Sequence, residues 1–125
     1  MAQKILIVDD EAHLRMLIQQ TLEELEDEGV ELIQASNGEE ALEKIESERP
    51  NLVFLDVMMP KKSGFDVCQA VKKEIGLTGI HVILLTAKGQ EFDKQKGLDV
   101  GADLYLTKPF DPDMLLAKAR EVLGL

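Results

Sequence analysis

Five side chains with reactive potential fall at the carboxyl ends of short apolar runs. Asp9 and Asp10 follow Lys4-Ile5-Leu6-Ile7-Val8, and Asp56 follows Leu52-Val53-Phe54-Leu55. Thr86 follows the run from Ile80 to Leu85, and Lys108 follows Leu104 to Thr107. Acids drawn together repel and resist ionisation unless a cation offsets them. Mg²⁺ suits that task, because it takes oxygen ligands, keeps several waters and needs only one or two direct carboxylates. Lys108 supplies a second positive charge. With both beside it, Asp56 can stay ionised and act as a nucleophile towards phosphorus. The oxygens of a transferring phosphoryl group then need cations and hydrogen-bond donors around them. Lys108, the Thr86 hydroxyl and the Ala87 backbone N–H are available for that.

Each of these residues also has a plain structural reading. An Asp-Asp pair before a helix serves as a cap and complements the helix dipole. Asp56 alone could open a turn. Thr86 could be a cap, and Lys108-Pro109 a break between elements. The chemical reading depends on whether the fold brings the run ends to one place.

The spacing predicts five strand–helix units. Strand one is Lys4 to Val8; Leu14, Leu17, Ile18, Thr21, Leu22 and Leu25 then recur at helical spacing, with Asp10 or Glu11 giving the negative charge favoured at that helix start, until Gly29. Val30 to Ala35 is strand two. Ser36-Asn37-Gly38-Glu39-Glu40 starts a helix whose apolar face is Ala41, Leu42 and Ile45. After Pro50-Asn51, strand three ends at Asp56, and Pro60 to Gly64 is a loop. Phe65, Cys68, Val71 and Ile75 mark a third helix. Ile80 to Leu85 is strand four, 91–100 a weaker helix rich in Lys and Asp, and Leu104 to Thr107 strand five. Met114, Leu115, Ala119, Val122 and Leu123 form the last helix. Strands that are nearly continuous apolar runs are covered on both faces, and connecting helices of this length make right-handed crossovers. The expected fold is α/β, a parallel five-stranded sheet with helices on both sides. Ligands of such sheets bind beyond the carboxyl ends of the strands, where Asp9, Asp10, Asp56, Thr86 and Lys108 would converge.

Composition narrows the function classes. The chain has 125 residues, the size of one ordinary domain. Its single cysteine, Cys68, allows no internal disulfide, and there is no apolar N-terminal signal segment; both suit a reducing, cytoplasmic setting. The longest apolar runs are far too short to span a bilayer. A formal net charge of −10 argues against direct contact with nucleic acid and favours a cation or a basic partner.

The motifs taken together resemble the receiver domain of two-component response regulators over essentially the whole chain. They are Ile5-Leu6-Ile7-Val8-Asp9-Asp10-Glu11, Leu55-Asp56-Val57-Met58-Met59-Pro60 with Gly64, Leu84-Leu85-Thr86-Ala87, and Gly101-Ala102-Asp103 followed by Tyr105-Leu106-Thr107-Lys108-Pro109-Phe110. The resemblance implies a doubly wound, flavodoxin-like sheet of strand order 2-1-3-4-5 and one receiver domain over residues 1–125, with no effector domain. It implies that Asp56 accepts a phosphoryl group from a sensor histidine kinase. Asp10, Asp56 and the Met58 carbonyl would bind Mg²⁺ directly, and Asp9 through water. Lys108 would pair with Asp56 and the phosphoryl group. Thr86 would swing towards the phosphoryl oxygens and Tyr105 would follow inward, carrying the signal to a face made of the fourth helix, fifth strand and last helix, where a downstream protein or a second copy binds. The Lys108-Pro109 peptide would be cis. Such a domain catalyses only its own phosphotransfer and slow self-dephosphorylation, and is not otherwise an enzyme. Leu14 and Leu17, with His13 and Thr21 nearby, form either core or a partner-docking face; His13 and His81 are isolated and are not expected to be metal ligands.

Departures from the family pattern are His81 where Pro often precedes strand four, Ser63 where Asp is frequent before Gly64, and Leu104 where Asp is often found. None touches the reacting groups. Met58 and Lys88 flank the path of attacking water in this family, and neither is an acid or amide, so loss of the phosphoryl group should be slow. An aspartyl-phosphate phosphohydrolase of haloacid-dehalogenase type is an alternative, but it wants a general acid where Met58 stands. A flavin or nucleotide binder would want a phosphate loop where Asp9-Asp10-Glu11 stand. A degenerate receiver would lack one of the five reacting groups, and all are present.

Overall fold

The computed structural model describes residues 3–59, 62–77, 79–87, 99–108 and 110–125. Five strands form one parallel sheet: β1 (Lys4–Val8), β2 (Glu31–Ala35), β3 (Leu52–Asp56), β4 (His81–Ala87) and β5 (Leu104–Lys108). Their order is β2-β1-β3-β4-β5, as the resemblance implied. Helices α1 (Ala12–Glu26), α2 (Gly38–Glu48), α3 (Gly64–Gln69) and α4 (Pro112–Leu123) cover it.

Alternate residues along a strand point to opposite faces, and both faces here are apolar. Leu6, Val8, Val53, Leu55, Val82 and Leu84 pack with Ala41 and Ile45 of α2 and with Phe65, Val67, Cys68 and Val71 of α3 and its extension. Ile5, Ile7, Leu52, Phe54, Ile83 and Leu85 pack with Ile18, Leu22 and Leu25 of α1 and with Leu115, Ala119 and Leu123 of α4. The sheet is thus the middle layer of three. Double coverage explains why the central strands are continuous apolar runs rather than alternating ones.

Local chemistry sets the helix boundaries. Asn37 caps α2 by accepting from the Glu40 N–H, and Ser63 with Asp66 forms a capping box on α3. Asp111 caps α4, which carries Pro112 in its first turn and ends at Gly124 with φ of 71°. At α1 the N-cap residue, Glu11, makes no side-chain cap bond; Asp9 Oδ1 instead accepts from the Glu11 N–H at 2.9 Å, a local turn that leads into the helix.

The third helix departs from its predicted periodicity. After Gln69 it widens into a π-helical turn, Ala70–Glu74, closed by the Ile75 N–H on the Ala70 carbonyl at 2.7 Å. The wider turn rotates Ile75 off the apolar face, and it is 39% exposed. From this turn Lys72 reaches the Ile80 carbonyl at 2.6 Å and Asp103 at 2.7 Å, while Asp103 accepts from the Val82 N–H at 2.8 Å. This pair ties α3 to the start of β4 and the approach to β5. On the opposite face Arg120 of α4 pairs with Glu24 at 2.6 Å and Glu28 at 2.8 Å, joining α4 to the end of α1.

Two glycines are required by close approach. A Cβ on Gly64 would lie 2.4 Å from the Asp56 carbonyl oxygen, and one on Gly38 would lie 2.4 Å from that of Lys62. Gly64 also donates its N–H to the Val57 carbonyl at 2.9 Å, folding the segment after Asp56 back onto the strand end. The predicted helix over 91–100 falls mostly, and Pro60, Lys88 and Pro109 fall entirely, outside the described residues.

Candidate functional site

β1, β3, β4 and β5 run parallel, so their carboxyl ends share one edge. Asp9, just past β1, is 0% exposed, Asp56 at the end of β3 is 6% exposed, and Thr86 near the end of β4 is 1% exposed. Asp10 is exposed. One carboxylate oxygen from each of Asp9, Asp10 and Asp56 lies within 4.8 Å of the others. Lys108 joins them from β5: its Nζ donates to Asp56 Oδ1 at 2.9 Å and to Asp9 Oδ2 at 3.1 Å. The register sets Ala87 beside Lys108 across β4 and β5.

Burial dominates the electrostatics. It pushes the Asp56 carboxyl up from 3.8 to about 6, against the hydrogen bond from Lys108, with Asp9 and Asp10 adding to the rise. For Lys108 burial works downward, yet the bonds to Asp56 and Asp9 more than offset it and the ammonium is held above its usual range. Clustered hard oxygen donors with an acid this reluctant to ionise fit a small divalent cation, which would restore Asp56 to its charged form. Nothing in the donor set suits a soft metal: burial raises the Cys68 thiol to about 11 inside the core, His13 faces Glu11 at 3.4 Å, and neither belongs to the cluster.

Thr86 and Tyr105 are neighbours on one sheet face. Thr86 continues the Val82–Leu84 row, and Tyr105 pairs in register with Leu84 and packs against the same cluster. A groove of about 400 Å³ runs between β5 and α4 past Tyr105, Leu106, Phe110 and Met114. The Met58 side chain, two residues after Asp56, is 65% exposed.

The family model described as the response regulator receiver domain matches residues 5–120. The chain belongs to this family.

Relatives of the receiver domain include an alkaline phosphatase synthesis transcriptional regulatory protein, PhoP, of Bacillus subtilis. It is 46% identical over 123 residues, covering 98% of this chain and 49% of the relative. The chain spans about half the length of the curated relatives it matches. Among solved structures, the chemotaxis protein CheY4 of Vibrio cholerae has a TM-score of 0.84 at 34% identity, covering 98% of this chain and 99% of that one. A beryllofluoride-activated DrrB receiver domain has a TM-score of 0.86 at 34% identity, covering both chains fully. Receiver domains of response regulators are signalling domains, and a phosphohydrolase is not favoured. Among the described residues no helix is long and apolar enough to cross a membrane.

Sequence reasoning about the receiver domain missed Arg15. Its Nη1 donates to the Asp9 main-chain carbonyl at 2.6 Å, and its Nε to Gln34 Oε1 at 3.2 Å. A helix arginine carries no spacing signal for a bond to a backbone oxygen; only the path of the β1–α1 turn reveals it. The first helix is divided: Ile18, Leu22 and Leu25 are core, Leu14 and Thr21 are half-buried, and Met16 and Leu17 are 59% and 44% exposed.

Proposed function

We propose that Asp56 accepts a phosphoryl group from the phosphohistidine of a sensor histidine kinase, and that the new charge switches a partner-binding face. The observation that carries this reading is the Lys108 ammonium bonded to both Asp56 and Asp9 beside the three-carboxylate cluster. In the transfer, an Asp56 oxygen bonds to phosphorus as the phosphorus–nitrogen bond breaks, and the ring nitrogen keeps the bonding electrons. Lys108 holds Asp56 in position and neutralises charge on the moving phosphoryl oxygens. The Thr86 hydroxyl and the Ala87 backbone N–H donate to those oxygens. Asp10, Asp56 and the Met58 carbonyl would hold Mg²⁺ directly, with Asp9 acting through water. Bound there, Mg²⁺ supplies charge neutralisation for the acids and the phosphoryl group.

The phosphoryl group adds a charge of roughly −1.5 to −2. Thr86 turning towards it frees room on the face it shares with Tyr105, and Tyr105 moves inward. The readout surface is then β5 with α4 and the segment over 91–100, offered to a downstream protein or a second copy of this chain. Residues 1–125 act as one receiver unit in the cytoplasm and catalyse only their own phosphotransfer. In the longer relatives named as transcriptional regulators, contact with nucleic acid would fall to the part outside the match, since this unit carries −10.

Beryllofluoride with Mg²⁺ tests the reading, because the fluoride complex stands in for a phosphoryl group on a carboxylate. Wild type should gain thermal stability and change its spectrum, and Asp56→Ala should do neither. No response in wild type, or an equal one in both, rules it out. Once formed, the acyl phosphate should be long-lived, since the exposed Met58 offers attacking water no good hydrogen bond. Replacing Met58→Asn together with Lys88→Glu should speed its loss by roughly tenfold or more; equal decay of wild type and double variant would contradict that.

A further inference from the structure

Arg15 has a role in the receiver domain that the reacting groups do not explain. β1 ends at Val8, which pairs in register with Ala35 on one side and Leu55 on the other. Asp9 lies one step beyond this ladder and is fully buried. Its N–H still reaches the Ala35 carbonyl at 3.3 Å, but its own carbonyl has run out of strand partner. A buried carbonyl without a donor is costly, and Arg15 supplies the donor at 2.6 Å.

The guanidinium is itself braced. Its Nε donates to Gln34 Oε1 at 3.2 Å, the Gln34 amide donates to Gln19 Oε1, and Lys44 donates to the Gln34 carbonyl. α1, β2 and α2 therefore all fix where Arg15 sits. A guanidinium presents its donors in a planar fork, so bonds at two nitrogens set its orientation as well as its position.

The consequence passes through the next peptide. A peptide unit is planar, so fixing the Asp9 carbonyl oxygen also fixes the Asp10 N–H and narrows the direction in which the Asp10 side chain leaves the backbone. The other two acids are held by their carboxylates: Asp9 by the Glu11 N–H and Lys108, and Asp56 by Lys108. Asp10 is exposed, and no hydrogen bond or ion pair among the described residues fixes its carboxylate, so its aim is set from the main chain.

We propose that Arg15 is a positioning residue for the cation site: by clamping the Asp9 carbonyl it orients the Asp9–Asp10 peptide and aims Asp10 at the bound divalent ion. The inference rests on the reading that Asp9, Asp10 and Asp56 hold such an ion.

Charge and position predict opposite signs here. A guanidinium close to the acids opposes a divalent cation, so its removal should tighten Mg²⁺ binding if Coulomb forces alone mattered. Loss of the clamp should weaken it, and removing an outer partner of a metal ligand typically costs about tenfold or more in metal affinity.

The test is titration calorimetry with MgCl₂ on the 125-residue chain, with urea unfolding in metal-free buffer run alongside. Arg15→Met should weaken the Mg²⁺ Kd by about tenfold. Arg15→Lys, which keeps one donor within reach of the carbonyl, should recover most of that loss. Gln34→Ala keeps the clamp but removes its brace and should weaken binding by roughly threefold; it also serves if Arg15→Met does not fold. A lower urea midpoint alone would indicate a merely structural role. Wild-type affinity or tighter in a folded Arg15→Met, or in Gln34→Ala if Arg15→Met does not fold, overturns the proposal. If wild type binds no Mg²⁺, the cation reading falls and takes this one with it. If wild type binds, Asp10→Ala fails to bind and the Arg15 and Gln34 variants match wild type, only the role of Arg15 falls.

Discussion

Replacing Lys108→Met should slow phosphoryl uptake by about a hundredfold or more, the usual cost of losing one preorganised donor at a site of developing charge. Two effects act together. The ammonium 2.9 Å from Asp56 and 3.1 Å from Asp9 offsets part of the burial and like-charge cost. Without it the Asp56 carboxyl, already at about 6, moves higher, and less of it is the nucleophilic carboxylate near neutral pH. The phosphoryl oxygens also lose their counter-charge. Mg²⁺ affinity should move the other way and rise, because a competing cation has left the acids. Uptake from a small acyl phosphate, followed by mass shift, and Mg²⁺ titration read the two quantities separately. Wild-type uptake in Lys108→Met would show that the bridge is structural.

Asp56→Asn should make the chain more stable at pH 7.5 in metal-free buffer, by about 1–3 kcal/mol, or roughly 3–10 °C in melting temperature. The sign follows from proton linkage. The folded chain holds the Asp56 proton up to about pH 6, whereas an exposed carboxyl releases it near 3.8. Between those values the native state binds more protons than the unfolded one, so this group's contribution to stability grows as pH falls. It is fully present below 3.8 and lost as pH rises through about 6, above which the chain carries a buried charge that it would be more stable without. The asparagine variant never carries that charge and still offers Lys108 an oxygen. Its advantage should shrink as pH falls through 6 and vanish near 4 (thermal melts across pH, with a chelator present, measure this). Saturating Mg²⁺ should also narrow the gap, since the cation stabilises the wild-type carboxylate. An asparagine variant less stable than wild type at pH 7.5 would mean that Lys108 outweighs burial at Asp56.

These effects trace to features unequally visible in the amino-acid order. The strand ends were readable because doubly covered strands are unbroken apolar runs, and Asp9, Asp56, Thr86 and Lys108 each sit where such a run stops or just before. Parallel topology then forces the ends together without any knowledge of loops. The helix entry at Asn37 was equally local, whereas the capping box at Ser63 fell in a segment whose Pro and Gly signalled only a loop. The π-helical turn was not readable, because Phe65, Cys68, Val71 and Ile75 satisfy an ordinary helical period and nothing in that spacing records a widened turn. Arg15 and Lys72 escaped for another reason. Each donates to a main-chain carbonyl outside its own helix, that of Asp9 or Ile80, and backbone oxygens carry no side-chain signature. Exposure of Leu17 against half-burial of Leu14 depended on how α1 lies across the sheet, which helical spacing alone leaves open.

The Lys108–Asp9 bond closes a span of 99 positions, and Lys108–Asp56 one of 52. The acids belong to the first half of the chain and the ammonium to the final strand. During synthesis, a nascent chain that has released β1 and β3 already owns its acidic groups but not the ammonium that completes them. The ammonium arrives only when β5 emerges and zips onto β4. Under the proposed phosphotransfer, efficient charging would therefore double as a proofreading mark: full-rate uptake requires a molecule whose last strand has been made and correctly paired.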